Sequence, residues 1–486
     1  MKFSRWLAIL WFGAIIGTWI LRGLPWNLDE YDQAKQAYTS YEMVGREAWW
    51  FQHTPRQGSA TKPPLMGWMS AGIYGVTRSW DVAWRLPSLL AATGILTLLW
   101  KSGRKVSGLW GAWLATAAFA WNLLSIRLAT MVRTDMVLAF FIFASGWLIW
   151  RRLQAEERWT GPDTATLTLL LAAATMTKGP IYHAFLLPGL LVWMIFAGAQ
   201  ENKKRIALGY FLASVFSLLP FLLWTGWRIQ GDPAFYDQVV VKEFLGRFTT
   251  GEKAVHNNQT WYFYLPHLLT KFAPWSLLLI AVFACKDVRL AIRRNAAALW
   301  LGCWFLGGLA AMSLVPSKRV DRIFPVVPVA ALCLATCLPI LQRKRWGQPR
   351  SLIALGTLAV LGYGGYTGAL AWNGFREKRG SLVKFGRDVR NRAAQGRWEY
   401  LIVEGRDEGL LMYAGKLAFS DVKTAAAALK SGSVQAAIVD SRNLRKLRDK
   451  TGPLETILEV AHPSDRDYSY SLVRLASPPP IPSPAS

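Results

Sequence analysis

Residues 5–23 read "RWLAILWFGAIIGTWILRG", an apolar run with arginines only near its two ends, and residues 24–30 continue it as "LPWNLDE". A helix crosses about 30 Å of hydrocarbon with roughly 20 apolar residues. The run is therefore predicted to span a membrane and to deliver two adjacent carboxylates, Asp29 and Glu30, to its far surface. Lys2 and Arg5 precede or open the run, and basic residues collect on the cytoplasmic side, which places the N-terminus inside. The run ends in bulky residues with no small-x-small cleavage site, so it reads as a retained first span rather than a signal peptide.

Runs of this kind recur. They fall roughly at 5–23, 82–100, 109–126, 134–151, 163–177, 181–199, 205–227, 262–284, 296–315, 323–341 and 351–372, each near the length a spanning helix needs. With 52% of its 486 residues hydrophobic and the apolar residues concentrated in these blocks, the chain is predicted to be a polytopic α-helical membrane protein. The count is about 11 transmembrane helices. The loops "KSGRKVSG" (101–108), "ENKKRI" (201–206), "KDVRLAIRRN" (286–295) and "QRKRWGQPR" (342–350) are strongly basic and belong in the cytoplasm. They hold much of the formal net charge of +26, which is thereby assigned to topology and to contact with anionic membrane lipids; no nucleic-acid partner is expected.

The block "PPLMGWMSAGIYGV" (63–76) would break the alternation of loops if it were a span. It is short and rich in glycine, and it is predicted to be an amphipathic or re-entrant segment on the outer surface. The span count is then odd, and the C-terminal segment lies outside. There, "WEYLIVEG" (398–405), "QAAIVDS" (435–441) and "YSYSLVRL" (468–475) read as strands, with "SDVKTAAAALKS" and "SRNLRKLRDK" as helices. The expected organisation is a transmembrane domain over 1–375 with a first outer loop at 24–81, a small extracytoplasmic α/β domain over 381–476, and a disordered tail at 477–486. The four cysteines form no CxxC pair and the five histidines are scattered, so neither a disulfide framework nor a zinc site is expected.

This topology sorts the ionisable residues onto one face. Asp29 and Glu30 follow the first span, Lys62 ends the same loop, and Asp135 in "MVRTDMVLAF" opens a span at its outer end. Lys178 in "TMTKGPIY" occupies a tight outer turn. Glu243 and Arg247 lie in "VKEFLGRF", and Lys318, Arg319 and Arg322 in "PSKRVDRIF". Any one of these is explained by a snorkelling chain, a helix cap or a loop charge. Six segments sending charges to one face ask for more, because ionisable groups beside spans are costly and usually functional. Outside the cytoplasm no nucleotide-sugar is at hand, so an activated donor there must reside in the membrane, and a polyprenyl-phosphate sugar fits. Lysine and arginine would stabilise the charge developing on its leaving phosphate, and a carboxylate would take the proton of an incoming hydroxyl. No cofactor is needed for this. A divalent metal stays open, since acids are present and the lysines suffice for the phosphate; chelator sensitivity discriminates.

At these residues the sequence resembles the lipid-linked-sugar glycosyltransferases of the GT-C fold, glycosyltransferase family 39, which holds the protein O-mannosyltransferases and the aminoarabinose lipid A transferases. The matching pieces are "DE" at 29–30, "KPPL" at 62–65, "RLPSLL" at 85–90, Asp135 ahead of a span, "TKGP" at 177–180, "EFLGRF" at 243–248, "WYFYLPHLLTKFAPW" at 261–275 and "SK…FPVVP" at 317–328, in the family's order and over most of 20–340. The resemblance implies that Asp29 is the catalytic carboxylate, with Glu30 beside it and Asp135 as a second acidic contributor. It places Lys62, Lys178, Glu243, Arg247, Lys318 and Arg322 on the substrate side, with Lys62, Lys178, Arg247 and Lys318 towards the donor phosphate. It further implies an undecaprenyl-phosphate sugar donor, a lipid A, other envelope-glycan or protein-hydroxyl acceptor, inversion in a single displacement, and an inner-membrane location with the active face outside. The departures are specific. Asp32 and Gln33 stand where "DExRY" has Arg and Tyr, Thr61 where a Glu precedes "KPP", and Val320 and Arg322 where "KxPxY" has Pro and Tyr. They bear on which sugar and acceptor are used, or on turnover.

Two readings from other classes compete. A transporter or flippase of a lipid-linked anion would use the same cations for binding alone; no matched halves or paired broken helices are evident in the sequence. A degenerate binding scaffold would tolerate loss of Asp29, Asp135 and Lys178 together.

Overall fold

A computed structural model describes residues 2–28, 31–198, 202–244, 246, 258–344 and 347–476. The chain forms two compact units. One comprises residues 1–23, 49–51 and 59–369; the other comprises 24–48, 52–58 and 370–486.

The larger unit is a helical bundle. All the apolar stretches are helical over most of their length, and their ends follow local chemistry. The helix Gly161–Lys178 begins with a capping box of Thr160 and Asp163, has Pro162 in its first turn, and stops where Gly179 takes a φ of 75°. Asn122 caps the short helix Leu123–Leu128 by accepting from Ser125 N, and Asn295 caps Ala296–Leu314 by accepting from Ala298 N. Helix Trp80–Ala120 is interrupted at Ser107 and Gly108. Its two arms fold back on one another, so that Trp100 and Trp113 meet edge to face with ring centroids 5.6 Å apart. A Cβ on Gly103 would sit 2.4 Å from the Gly111 carbonyl oxygen, so the turn closes only around glycine.

Among the described residues, five helices are individually long and apolar enough to cross a membrane: Trp80–Ala120, Thr134–Ala155, Lys203–Gly231, Ala296–Leu314 and Pro349–Arg376. Two expected spans depart from the simple pattern. The stretch 262–284 is a pair of helices, Tyr264–Lys271 and Trp275–Ala284, bent by 118°; the "FAP" break at 272–274 supplies a proline where a continuous helix would need an N–H. The stretch 109–126 stops at Ala120, and a second short helix starts at Leu123. The glycine-rich block 63–76 is a helix, Leu65–Thr77.

Helices in lipid gain little from mutual apolar burial and pack through small residues. The bundle does this at Tyr182–Phe196 against Ala296–Leu314: a Cβ on Gly307 would be 2.5 Å from Gly189 N, and one on Gly189 would be 2.6 Å from Trp304 Cα. Gly146 of Thr134–Ala155 lies under the Trp304 ring at 2.4 Å by the same measure, and Trp300 Nε1 donates to Gly146 O at 2.9 Å. Leucines and phenylalanines of Lys203–Gly231, including Phe211, Leu219, Leu222 and Leu223, stay exposed, as a lipid-facing surface requires.

The smaller unit carries a four-stranded sheet of β1 (Tyr400–Ile402), β2 (Ala436–Asp440), β3 (Leu454–His462) and β4 (Asp465–Leu475), in the order β1-β2-β4-β3. β1 and β2 are parallel, and the other pairs are antiparallel. Helices Val422–Ser431 and Ser441–Thr451 bury Ala425, Ala426, Leu429 and Leu447 with Val439 and Val473. Three strands coincide with the sequence expectation; β3 does not. Helix Tyr31–Arg46 is part of this unit: Tyr38 Oη donates to Leu417 O at 2.5 Å, and Arg56 Nε donates to the buried Glu408 at 2.7 Å while a second nitrogen pairs with Glu404.

Candidate active site

The larger unit gathers charge at one end, where helices Thr134–Ala155 and Gly161–Lys178 start and finish respectively. Asp135 sits in the first turn of its helix, where the amide ends favour a carboxylate. Lys178 closes the next helix. Because the two helices are consecutive and antiparallel, the start of one meets the end of the other, and Lys178 Nζ donates to Asp135 Oδ1 at 2.6 Å. Arg133 Nε lies 3.0 Å from Asp135 Oδ2, a close ion pair rather than an aligned hydrogen bond. The same guanidinium reaches the other way: Arg133 Nη1 donates to Asp321 Oδ2 at 2.8 Å, and Arg127 Nη1 lies 3.5 Å from Asp321 Oδ1. Arg133, Asp135 and Asp321 are buried and Lys178 is largely so, whereas Arg127 is 41% exposed.

The result is a continuous ionic chain, Arg127–Asp321–Arg133–Asp135–Lys178, tying three segments of sequence together. Buried charges persist only when paired and hydrogen-bonded, and this chain meets that condition for both carboxylates. The backbone between Arg127 and Asp135 is pinned by Ser88 Oγ, which donates to Met131 O at 2.7 Å, and by Thr130 Oγ1, which donates to Trp19 O at 3.1 Å.

The loop that carries Asp321 is braced separately. Arg322 Nη1 donates to Ser317 O at 2.6 Å and to Ser317 Oγ at 3.0 Å. Ser317 bridges Asn258, and Lys318 Nζ donates to Gln259 O at 3.1 Å. Burial pulls the Lys318 ammonium below the ordinary lysine value. The charge of Arg322 bears on Lys178, and that of Lys62 on Asp135. Lys62, Asp135, Lys178 and Arg322 from the sequence reading thus share one neighbourhood, and Lys318 is in the loop beside it.

Asp29, Glu30 and Arg247 lie outside the described residues. Glu243 is in the π-helical stretch Tyr236–Phe244. Sequence reasoning missed Arg127, Arg133 and Asp321. The signal was present, since Arg133 stands two residues before Asp135 and Asp321 is the lone acid among three cations in "SKRVDR". Among the described residues no three His, Cys, Asp or Glu side chains converge as metal ligands.

Residues 61–227 match the family of dolichyl-phosphate-mannose-protein mannosyltransferases. The chain has the GT-C fold. It superposes on ArnT of Cupriavidus metallidurans bound to undecaprenyl phosphate with a TM-score of 0.75, at 16% identity, over 98% of this chain and 99% of that one. Archaeal oligosaccharyltransferase AglB of Archaeoglobus fulgidus is a more distant neighbour, with a TM-score of 0.53 at 13% identity over 90% of this chain and 70% of that one.

In sequence, the chain is similar to curated undecaprenyl phosphate-alpha-4-amino-4-deoxy-L-arabinose arabinosyl transferases. It is 26% identical to one from Pseudomonas fluorescens over 74% of this chain, and 28% identical to one from Pseudomonas aeruginosa over 54% of it. The matches span 64% and 55% of those two relatives' lengths.

Proposed function

We propose that this chain is a membrane glycosyltransferase that moves a sugar from an undecaprenyl-phosphate carrier to an acceptor on the extracytoplasmic face, either lipid A, another envelope glycan or a protein hydroxyl. The observation that carries the reading is the ionic chain ending at Lys178. It holds an ammonium at the end of a membrane bundle, where a lipid phosphate surfaces, with Lys62, Lys318 and Arg322 in the same region.

In the reaction, an acceptor oxygen attacks the anomeric carbon. The bond from that carbon to the phosphate oxygen breaks, and the electron pair leaves with undecaprenyl phosphate. Negative charge grows on the phosphate, and preorganised cations stabilise it more in the transition state than in the ground state. Lys178 has three N–H donors and commits one to Asp135, which leaves donors to turn towards the phosphate. Asp135, held by Lys178 at 2.6 Å and facing Arg133 at 3.0 Å, orients these cations. The base role falls to Asp29, as the resemblance implies.

This makes Asp29→Asn diagnostic of the acceptor. A hydroxyl acceptor must lose a proton, and the variant then lowers transfer by about 100-fold or more. A phosphate acceptor is already anionic, and the variant then has only a mild effect. Rates with purified variant and each acceptor class distinguish the two.

The depressed pKa of Lys318 predicts that its charge is lost at a lower alkaline pH than an ordinary lysine's. The alkaline limb of donor binding is expected to move upward in Lys318→Arg, whose guanidinium stays charged. An unmoved limb would remove Lys318 from the phosphate side.

The experiment that tests the function in the cell is mass spectrometry of envelope glycans, lipid A and periplasmic proteins in a deletion strain. Loss of one sugar from one acceptor, restored by the intact gene and not by Lys178→Met, is the expected result. Restoration by Lys178→Met would remove the cation cluster from the chemistry.

A further inference from the structure

We propose that the bundle holds an anionic phospholipid at the end remote from the ionic chain, with an acyl chain in an apolar crevice and the phosphate on the basic helix Lys286–Arg294. Lipid binding there needs only a membrane bundle and is independent of sugar transfer.

The crevice lies among four helices, Trp275–Ala284, Lys286–Arg294, Ala296–Leu314 and Val326–Leu341. Phe283, Ile292, Leu301, Gly302, Thr336 and Cys337 line much of it, and its empty space, open mouth included, is about 240 Å³. Phe283, Ile292 and Thr336 are half-buried, so the crevice is open to its surroundings. Gly302 keeps its floor low: among the described residues, an added Cβ would first meet Ile292 Cγ2, at 3.8 Å. Chain direction fixes where this is. Ala296–Leu314 starts at the crevice, rises about 28 Å over its 19 residues and ends next to the loop of Ser317 and Arg322. Val326–Leu341 starts beside that loop and returns, with Thr336 and Cys337 in its last two turns.

The rim is basic. Helix Lys286–Arg294 turns Val288 inward and Ile292 onto the crevice, which leaves Lys286, Arg289 and Arg293, at i, i+3 and i+7, as one exposed stripe. Arg289 Nη1 donates to Phe283 O at 2.9 Å and to Ala284 O at 2.8 Å, the last carbonyls of the preceding helix, and so anchors the basic helix against the bundle. Lys344 Nζ pairs with Asp287 at 3.3 Å and ties the end of Val326–Leu341 to the same helix. Lys286, Arg293, Arg294 and Arg343 are exposed and make no ion pair among the described residues.

Cations alone would be snorkelling side chains that meet head groups in passing. An apolar crevice beside them changes this, because a gap in a lipid-facing surface forfeits dispersion contacts until an acyl chain fills it. A basic pocket between spans at one membrane surface suits an anionic phospholipid. A soluble phosphate could use the rim but not the crevice.

The test uses the purified full chain, stripped of lipid in a neutral detergent and titrated with phosphatidylglycerol, phosphatidylcholine or glycerol 1-phosphate. Bound molecules are counted by native mass spectrometry, and thermal midpoints report folding. Phosphatidylglycerol is expected to bind about 30-fold more tightly than phosphatidylcholine, and glycerol phosphate at least tenfold more weakly than phosphatidylglycerol. Lys286→Gln/Arg293→Gln is expected to remove most of the preference between the lipids, about fivefold for each charge lost. Gly302→Leu, which fills the crevice, is expected to weaken both lipids severalfold and to leave the preference between them.

The charge variant alters two exposed side chains and tests the site even if Gly302→Leu does not fold. Equal binding of the two lipids by the wild-type chain overturns the inference, as does a preference that the charge variant leaves unchanged. A folded Gly302→Leu protein that binds both lipids as the wild type does also overturns it, because the crevice then holds no acyl chain. Glycerol phosphate bound as tightly as phosphatidylglycerol overturns it as well, because the rim is then an anion site without a lipid.

Discussion

Lys178→Met is expected to lower kcat/KM for sugar transfer by about 100- to 1,000-fold, the usual size for removing one preorganised donor from a developing oxyanion. The effect has two parts. Lys178 places an ammonium where the leaving phosphate gains charge, and its 2.6 Å bond to Asp135 keeps that carboxylate paired. Removing one partner of a buried pair typically destabilises by about 3 kcal/mol, and the cost here lies near that lower end because Arg133 stays 3.0 Å from Asp135. The double variant Asp135→Asn/Lys178→Met removes the stranded carboxylate and is expected to recover stability without recovering transfer. Rates and thermal midpoints, measured together on purified protein, separate the parts. A folded Lys178→Met protein with undiminished transfer contradicts the assignment.

A second large effect on stability is expected at Gly307. A single methyl there would sit 2.5 Å from Gly189 N, 2.8 Å from Gly189 Cα and 2.9 Å from the Pro188 carbonyl carbon, all of them backbone atoms of the facing helix. Backbone cannot move aside as a flexible side chain can, so Gly307→Ala forces the helices apart along their length. Overpacking costs about 1–3 kcal/mol, occasionally more, and this site belongs at the upper end. Gly362→Ala is the control, because nothing lies within 4 Å of the added carbon. There the gain in helix propensity, up to about 1 kcal/mol, should stabilise slightly. The two variants make one chemical change with opposite expected signs in a thermal-unfolding assay. A Gly307→Ala protein as stable as the wild type would show that the close helix contact does not exist in solution.

Much of this architecture was legible in the sequence because membrane spans announce themselves by length and composition alone. Residues 134–151, 205–227 and 296–315 fall within or nearly within helices of the bundle. What failed was information held in tertiary contact. The 118° bend between Lys271 and Trp275 interrupts a stretch that is apolar throughout, so hydropathy reads across it. The strand β3 contains Glu455 and Glu459 and lies at the sheet's edge, where one face stays in water and the apolar alternation weakens.

At the site, Asp135 and Lys178 were found individually because an acid and a lysine at span ends stand out. Their bond to each other was not, because it depends on two helices being antiparallel neighbours. Arg133 and Asp321 went unnoticed because loop charges are common. Only the fold, by bringing residues 188 positions apart to 2.8 Å, distinguishes this pair from solvated ones.

The most direct test of the central claim is a transfer assay with the purified full chain in lipid nanodiscs, an undecaprenyl-phosphate sugar and an envelope-lipid extract, following both the sugar and the carrier. Free undecaprenyl phosphate is expected to be released in step with sugar appearing on an acceptor, and Lys178→Met is expected to slow both together. Donor that is bound but never cleaved, or that crosses a vesicle membrane unchanged with no glycosylated product, would contradict it.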